Sequence, residues 1–152
     1  MQVRSSDREP RDTSLTLGDH AHDLLRPPVI VGRDQSITDI ARTLWEESVG
    51  VAIVGTANEP VGIVSERDVV AALGQGKDPE AVTAEEIMAS PVIAARPEDP
   101  LLDVAFLMFD HVIRHVPVID DLGQVTGIVS VRDLLRPLLV DALGSPSSHR
   151  GA

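Results

Sequence analysis

The chain contains no cysteine and no tyrosine, and its only aromatic residues are one tryptophan and two phenylalanines among 152 residues. Without cysteine there is no disulfide framework, no thiol nucleophile and no cysteine-ligated zinc site. So few aromatic rings also disfavour the stacking platforms that bind single-stranded nucleic acid. The absence of cysteine fits a reducing compartment, so we expect a cytoplasmic protein.

Basic residues and long apolar runs are scarce as well. The 13 Lys and Arg residues face 24 Asp and Glu residues, which gives a formal net charge of -11 at pH 7. This balance disfavours a basic nucleic-acid footprint. The longest nearly unbroken apolar run covers residues 49–55, far short of the roughly 18 residues of a bilayer-spanning helix. Because no apolar segment follows the charges at the N-terminus, we expect no secretory signal. The short apolar runs and the acidic balance together lead us to expect no membrane partner and no nucleic-acid partner.

The motifs of common catalytic sites are missing too. The sequence has no Gly-x-Ser-x-Gly elbow, no Ser-His-Asp set and no phosphate loop with its lysine. We therefore expect that the protein is not an enzyme and has no catalytic residue.

The dominant feature is an internal repeat. GIVSERD at residues 62–68 recurs as GIVSVRD at residues 127–133, with six of seven residues identical. Upstream, residues 28–30 (PVI) match residues 91–93 (PVI), and residues 39–41 match residues 103–105, with single-residue gaps. A repeat of about fifty residues indicates two copies of one structural unit.

Each copy predicts the order β-α-β-β-α. The periodicity predicts strands over residues 29–31, 51–54 and 61–64, and over 92–94, 116–119 and 125–129; the first helix of each copy has apolar positions at Ile37, Ile40, Ala41 and Leu44, or at Leu101, Val104, Ala105 and Met108. A second helix begins after Ser65 and after Ser130. The fold class is therefore α/β (α+β), with two repeats packed sheet against sheet as a pseudo-symmetric pair, because neither could bury enough surface alone.

The predicted boundaries follow from composition. Residues 1–23 read as a disordered N-terminal tail and residues 144–152 as a flexible C-terminal tail. Repeat 1 covers residues 24–73 and repeat 2 residues 89–143. The linker, residues 74–88, contains a short helix that begins at a capping box of Thr83 and Glu86.

These residues resemble a known family. Two β-α-β-β-α copies with Gly-Ile-Val-Ser-x-Arg-Asp, and RHVPVID at residues 114–120 before the second heptad, are similar to a tandem pair of cystathionine-β-synthase (CBS) domains over residues 24–140. The resemblance implies a Bateman module, in which such pairs bind adenosine-containing ligands between the repeats and regulate an attached or partner protein. It also implies a homodimer formed through exposed helices.

The heptads supply the first candidate ligand-binding residues, Ser65 and Asp68. Ser65 closes a strand and opens a helix, where an anion is favoured, and a carboxylate one turn later can accept both hydroxyls of a ribose. By resemblance, Ser130 and Asp133 do the same in a second cleft. A Ser-x-x-Asp sequence at a helix start is also a capping box that needs no ligand, and the two roles are compatible.

Arg114 and His115 form the next candidate site. By resemblance they reach a phosphate of the nucleotide held by the other repeat, where an arginine fork and an imidazole donor suit an anion. An exposed polar pair at a strand edge is the alternative. Their expected counterparts in repeat 1 are Val49 and Gly50, so the two clefts should be unequal. We also include Val29 and Val92, which lie in the first strand-like run of each copy, among the ligand-binding residues.

Other polar residues are weaker candidates. Arg67 and Arg132 are predicted to be solvated surface residues. The cluster of histidine and aspartate at residues 19–23 offers at most an adventitious metal site, because a disordered tail cannot fix its geometry, so we expect no dedicated metal site.

The sequence thus predicts a stand-alone regulatory sensor that binds AMP, ADP or ATP and signals to an unidentified partner, with no required cofactor. A structural or dimerisation module without nucleotide binding, and a sensor of S-adenosylmethionine, are the alternatives.

Overall fold

The computed structural model describes residues 15–144, which contain both repeats. A 3-10 helix at Ala21–Leu24 precedes them, and a short helix, α3 (Ala84–Ile87), lies between them. Repeat 1 consists of β1 (Ile30–Val31), α1 (Ile37–Glu46), β2 (Val51–Gly55), β3 (Pro60–Ser65) and α2 (Glu66–Gly74). Repeat 2 consists of α4 (Leu101–His111), β4 (His115–Ile119), β5 (Val125–Ser130) and α5 (Val131–Leu143).

The two sheets have related topologies. In repeat 1 the strand order is β1-β2-β3, with β1 parallel and β3 antiparallel to β2. In repeat 2, β4 and β5 pair antiparallel, and Ala95 alone bridges in parallel to Val118. The strand predicted over residues 92–94 is therefore not formed. Pro91 and Pro97, which flank this segment, have no N–H group for a ladder, and pairing is confined to one residue.

The predicted packing of sheet against sheet is confirmed. Each repeat has its own core beneath its helices. A third cluster joins the two sheets through Val51 and Ile53 of β2 and Val125 and Ile128 of β5. Each repeat therefore buries one face of its sheet under helices and the other against its twin.

The segment ahead of each repeat adds to the sheet of the other repeat. Arg26 pairs antiparallel with Ile128, and Ala89 pairs antiparallel with Ile63. The glycine that opens each heptad allows this crossing: a Cβ atom at Gly62 would lie 3.0 Å from the carbonyl oxygen of Ala89, and one at Gly127 would lie 2.8 Å from that of Arg26. The heptad thus begins with glycine because a backbone crosses it closely.

Packed residues extend upstream of residue 24, the predicted start of repeat 1. Ala21 is fully buried in the core of repeat 2, and its N–H donates to the Asp99 carbonyl over 2.8 Å. A small apolar residue in a polar stretch carries little hydrophobic periodicity, which is why the pattern did not reveal this anchor. Residues 1–14 and 145–152 of the predicted tails lie outside the described residues.

Between residues 15 and 144, none of the helices combines the length and the apolar character needed to cross a bilayer.

Candidate functional site

A cavity of about 460 Å³ lies where the heptad of repeat 1 meets the start of β4 in repeat 2. Ser65 and Asp68 line it from one side, and Arg114 and His115 line it from the other. Its apolar lining comes from both repeats and the segment between them, and includes Val51, Ile63, Ala89, Pro91, Ile93 and Ile113. The structure therefore brings together the four residues predicted for the first cleft.

Asp68 acts as a helix cap with only one of its two carboxylate oxygens. Its Oδ2 atom accepts hydrogen bonds from the Ser65 N–H over 2.7 Å and from the Ser65 Oγ over 2.8 Å. Within residues 15–144, its Oδ1 atom has no hydrogen-bond partner. Capping and ligand binding are compatible at Asp68, since one oxygen serves the helix and the other is left for a hydroxyl.

Arg114 and His115 are fixed by backbone pairing at the entry to β4. His115 pairs with Ser130, and the Val131 N–H donates to the Arg114 carbonyl over 2.7 Å. Burial lowers the pKa of His115, and the nearby charge of Arg114 lowers it further, against an opposing effect of Glu66. The lowered pKa favours the neutral ring, which offers one ring N–H as a donor.

The strand register corrects the expected counterparts of these two residues. Val51 pairs with Ser65 as His115 pairs with Ser130. The structural equivalents of Arg114 and His115 are thus Gly50 and Val51, one residue beyond the predicted Val49 and Gly50. Neither Gly50 nor Val51 has a side chain that can bind an anion, so the expected chemical difference between the clefts is retained.

The region around Ser130 and Asp133, predicted as the second cleft, contains an ion pair that sequence reasoning missed. The Arg26 Nε donates to Asp133 Oδ1 over 2.9 Å and to Oδ2 over 2.7 Å, and the Arg26 Nη2 also donates to Oδ1. Ser130 Oγ donates to Oδ2 over 2.7 Å. Burial would raise the pKa of Asp133, but the hydrogen bonds from Arg26 and Ser130 outweigh it and hold that pKa below its usual value.

Ala89 occupies in the first cleft the place that Arg26 occupies in the second. Arg26 bridges Ile128, and Ala89 bridges Ile63, which is the equivalent second residue of the other heptad. A methyl group at Ala89 cannot reach or neutralise Asp68. The accessible carboxylate of Asp68 and the covered carboxylate of Asp133 therefore differ in the side chain beside them, which is Ala89 in the first case and Arg26 in the second.

Two further predicted ligand-binding residues, Val29 and Val92, do not line this cavity. The cavity is lined by Pro91 and Ile93, on either side of Val92, and not by Val92 itself. Val29 packs partly buried against the core of repeat 1. Arg67 is exposed, as predicted, and it also lines the cavity.

The His20, His22 and Asp23 side chains come together on the 3-10 helix, with ligand atoms within 4.8 Å of one another. The His22 Nδ1 lies 2.7 Å from the Pro97 carbonyl oxygen, so this turn has a scaffold that the sequence did not predict. All three side chains are exposed, and three ligands are fewer than a structural zinc site uses. That the chain has no dedicated metal site stays a prediction.

Two related repeats of strands and helices, packed sheet against sheet around a shared cavity, define a paired-repeat module. The family model of the CBS domain matches residues 21–75 and 84–140, and the chain belongs to this family. It is 38% identical over 132 residues to the protein MK0525 of Methanopyrus kandleri, a match that covers 84% of this chain and 65% of that protein.

Solved structures agree with the fold. The CBS domain protein PAE2072 from Pyrobaculum aerophilum, complexed with AMP, is 35% identical with a TM-score of 0.75, covering 81% of this chain and 98% of that one. The CBS domain pair of protein MJ0100, in complex with 5′-methylthioadenosine and S-adenosyl-L-methionine, is 33% identical with a TM-score of 0.70, covering 78% of this chain and 94% of that one.

Proposed function

We propose that this chain is a regulatory module that binds a phosphate-bearing adenosine ligand, AMP, ADP or ATP, in the cavity beside Asp68. One observation carries the proposal: a single cavity joins a carboxylate with a free oxygen in repeat 1 to an arginine in repeat 2. A ribose and a phosphate need these two groups at opposite ends of a site.

Each group has a role in this proposal. Asp68 Oδ1 accepts the ribose hydroxyls, while Oδ2 keeps the start of α2 in place. Arg114 binds the phosphate, and the neutral His115 donates one hydrogen bond. The apolar side chains of Ile63 and Ile93 contact the base.

The relatives support an adenosyl ligand but differ in its 5′ substituent. PAE2072 is complexed with AMP, and the MJ0100 pair is complexed with 5′-methylthioadenosine and S-adenosyl-L-methionine. The guanidinium group of Arg114 favours an anionic phosphate over a sulfonium cation beside the ribose. We therefore rank the adenine nucleotides above S-adenosylmethionine.

Signalling to a partner and homodimer formation belong to the same proposal. Helices α4 and α5 contact each other and expose apolar side chains on their outer faces, namely Phe106, Phe109, Leu135 and Leu139. A second copy of the chain would bury this face. Ligand binding between the repeats changes their packing, and the regulated partner reads that change. In this proposal the chain is not an enzyme, needs no cofactor and acts in the cytoplasm.

Isothermal titration calorimetry with AMP, ADP, ATP, adenosine and S-adenosylmethionine tests the proposal. We expect the three nucleotides to bind and adenosine to bind more weakly. Thermal melts check the result, because a ligand at one hundred times its dissociation constant stabilises the folded state by about 2.7 kcal/mol. If none of the five compounds binds or shifts the melting temperature at millimolar concentration, the chain is a structural or dimerisation module. If S-adenosylmethionine binds most tightly, the ligand assignment is wrong.

A further inference from the structure

The second cleft differs from the first in that its hydroxyl-binding carboxylate is already occupied. Asp133 receives two nitrogens of the Arg26 guanidinium and the hydroxyl of Ser130. Both oxygens of Asp133 are engaged by Arg26, whereas Oδ1 of Asp68 has no partner within the described part of the chain. A ribose entering the second cleft would find no free acceptor.

We infer that Arg26 is an internal occupant of the second cleft, which keeps this cleft closed to nucleotides and limits the chain to one nucleotide at the Asp68 cavity. This inference rests on the proposed function. In it, Arg26 determines which of the two clefts binds a nucleotide.

The geometry separates this contact from an ordinary surface ion pair. The Asp133 side chain is only 10% exposed, although that of Arg26 is 57% exposed. An arginine that meets a carboxylate with two nitrogens is held more specifically than a single exposed contact. The carboxylate is therefore covered by the guanidinium, which itself faces solvent on its outer side.

The backbone places Arg26 on Asp133. The Arg26 N–H donates to the Ile128 carbonyl over 2.9 Å, and the Ile128 N–H donates to the Arg26 carbonyl over 3.0 Å. This pairing fixes the Cα of Arg26 beside β5, which leads directly into Ser130 and the start of α5. The side chain needs no rearrangement of the fold to reach Asp133, and its removal leaves the backbone pairing intact.

The matching position in the first cleft supplies an internal comparison. Ala89 makes the same paired backbone contact with Ile63, at 3.0 and 2.8 Å. With alanine there, the carboxylate of Asp68 is left open to the cavity. Arg26→Ala therefore gives the segment that pairs with Ile128 the same side chain as the segment that pairs with Ile63.

The test is the number of AMP molecules bound per chain, measured by equilibrium dialysis up to AMP concentrations far above those that saturate the tighter site, because the second cleft has no counterpart of Arg114 to bind phosphate. We expect one AMP per chain for the wild type and two for Arg26→Ala. In the Arg26→Ala background, Asp133→Asn should return the number to one, and Asp68→Asn should leave one AMP at the second cleft. Arg33→Ala is the matched control, because Arg33 is a similarly exposed arginine paired with Glu85, and it should bind one.

Arg26→Gln keeps most of the aliphatic part of the side chain without the charge. It replaces Arg26→Ala in the test if Arg26→Ala melts at a much lower temperature than the wild type. Two AMP molecules on the wild type, or one on both folded Arg26 variants, would overturn the inference and leave the proposed function intact. If neither the wild type nor the Arg26 variants bind AMP, the proposed function fails and the inference falls with it.

Discussion

Gly50 lies directly against the imidazole ring of His115: a Cβ atom at Gly50 would come within 3.0 Å of His115 Cε1. The two residues belong to different repeats, and both line the cavity. Because Gly50 has no side chain, the His115 ring of repeat 2 can lie close to the backbone of repeat 1 in the cavity.

Gly50→Ala should move the His115 ring and weaken AMP binding. Gly50 does not have a positive φ, so the added methyl group acts through the contact with the ring and not through backbone strain. Loss of one hydrogen bond of about 0.5–1.5 kcal/mol corresponds to a roughly 2- to 12-fold lower affinity. Calorimetry measures it, with Gly74→Ala as the control, since a Cβ at Gly74 meets nothing within 4 Å. Equal affinity of both variants would show that His115 does not contact the ligand.

Asp68→Ala should weaken nucleotide binding more than Asp133→Ala does. The first change removes an available hydroxyl acceptor, at a cost of about 1–3 kcal/mol, whereas the second removes a carboxylate that Arg26 already covers. Both changes also remove the N3 carboxylate of a capping box, which accepts a hydrogen bond from the backbone N–H of the N-cap serine. Melting temperatures of the unliganded variants are therefore measured beside the affinities. A larger loss of affinity for Asp133→Ala would show that the principal nucleotide site lies at Asp133 and not at Asp68.

Arg114→Ala should weaken AMP and ATP binding but leave adenosine binding nearly unchanged. A hydrogen bond to a charged group contributes about 1.5–3 kcal/mol, which is a roughly 10- to 150-fold loss for the nucleotides. Arg132→Ala provides the control, because Arg132 is an exposed arginine within the second heptad. A parallel loss for adenosine and AMP would mean that Arg114 shapes the cavity without binding phosphate.

The heptads explain why most of the fold could be predicted. Each encodes the end of a strand, a capping serine and the first turn of a helix in seven consecutive residues, and such local chemistry is readable from sequence. The same residues contain Ser65 and Asp68, so one wall of the site was predicted together with the helix start.

The one-residue error in matching the repeats has a specific origin. Residues 56–59 connect β2 to β3, but residues 120–124 connect β4 to β5, so the second hairpin loop is one residue longer. Counting back from the heptads across this loop without a gap placed Val49 opposite Arg114 and Gly50 opposite His115. Loops accept such insertions at little cost, and the sequence pattern within them does not mark where the extra residue lies.

Arg26 could not be predicted from local pattern because its partner is 107 residues away in the chain. The contact depends on the crossing of the segment before repeat 1 onto the sheet of repeat 2. In the sequence Arg26 is one more charged residue at the edge of a polar stretch.

Leu135→Asp should convert a dimer into a monomer. Leu135 is exposed on α5 beside the other apolar side chains of the outer helical face, and a carboxylate buried in an interface without a partner is strongly unfavourable. Light scattering should give a mass near 16.3 kDa for the variant and about twice that for the wild type. Leu122→Asp is the control, because Leu122 is 84% exposed in the β4–β5 loop, away from this face. A monomeric wild type at micromolar concentration would rule out the dimer.

Acidification should destabilise the unliganded protein partly through His115. Burial holds the pKa of folded His115 below the ordinary value of 6.5, so the unfolded chain takes up a proton more readily than the folded one as the pH falls below that value. The contribution of the neutral ring to stability is complete above pH 6.5 and is lost as the pH falls through the folded pKa. Melting temperatures of the wild type should therefore fall more steeply on acidification than those of His115→Gln, while His111→Gln, which alters an exposed histidine at the end of α4, should follow the wild type. Parallel curves for the wild type and His115→Gln would show that the ring is protonated equally in the folded and unfolded chains, and would remove the basis for treating it as a neutral donor in the cavity.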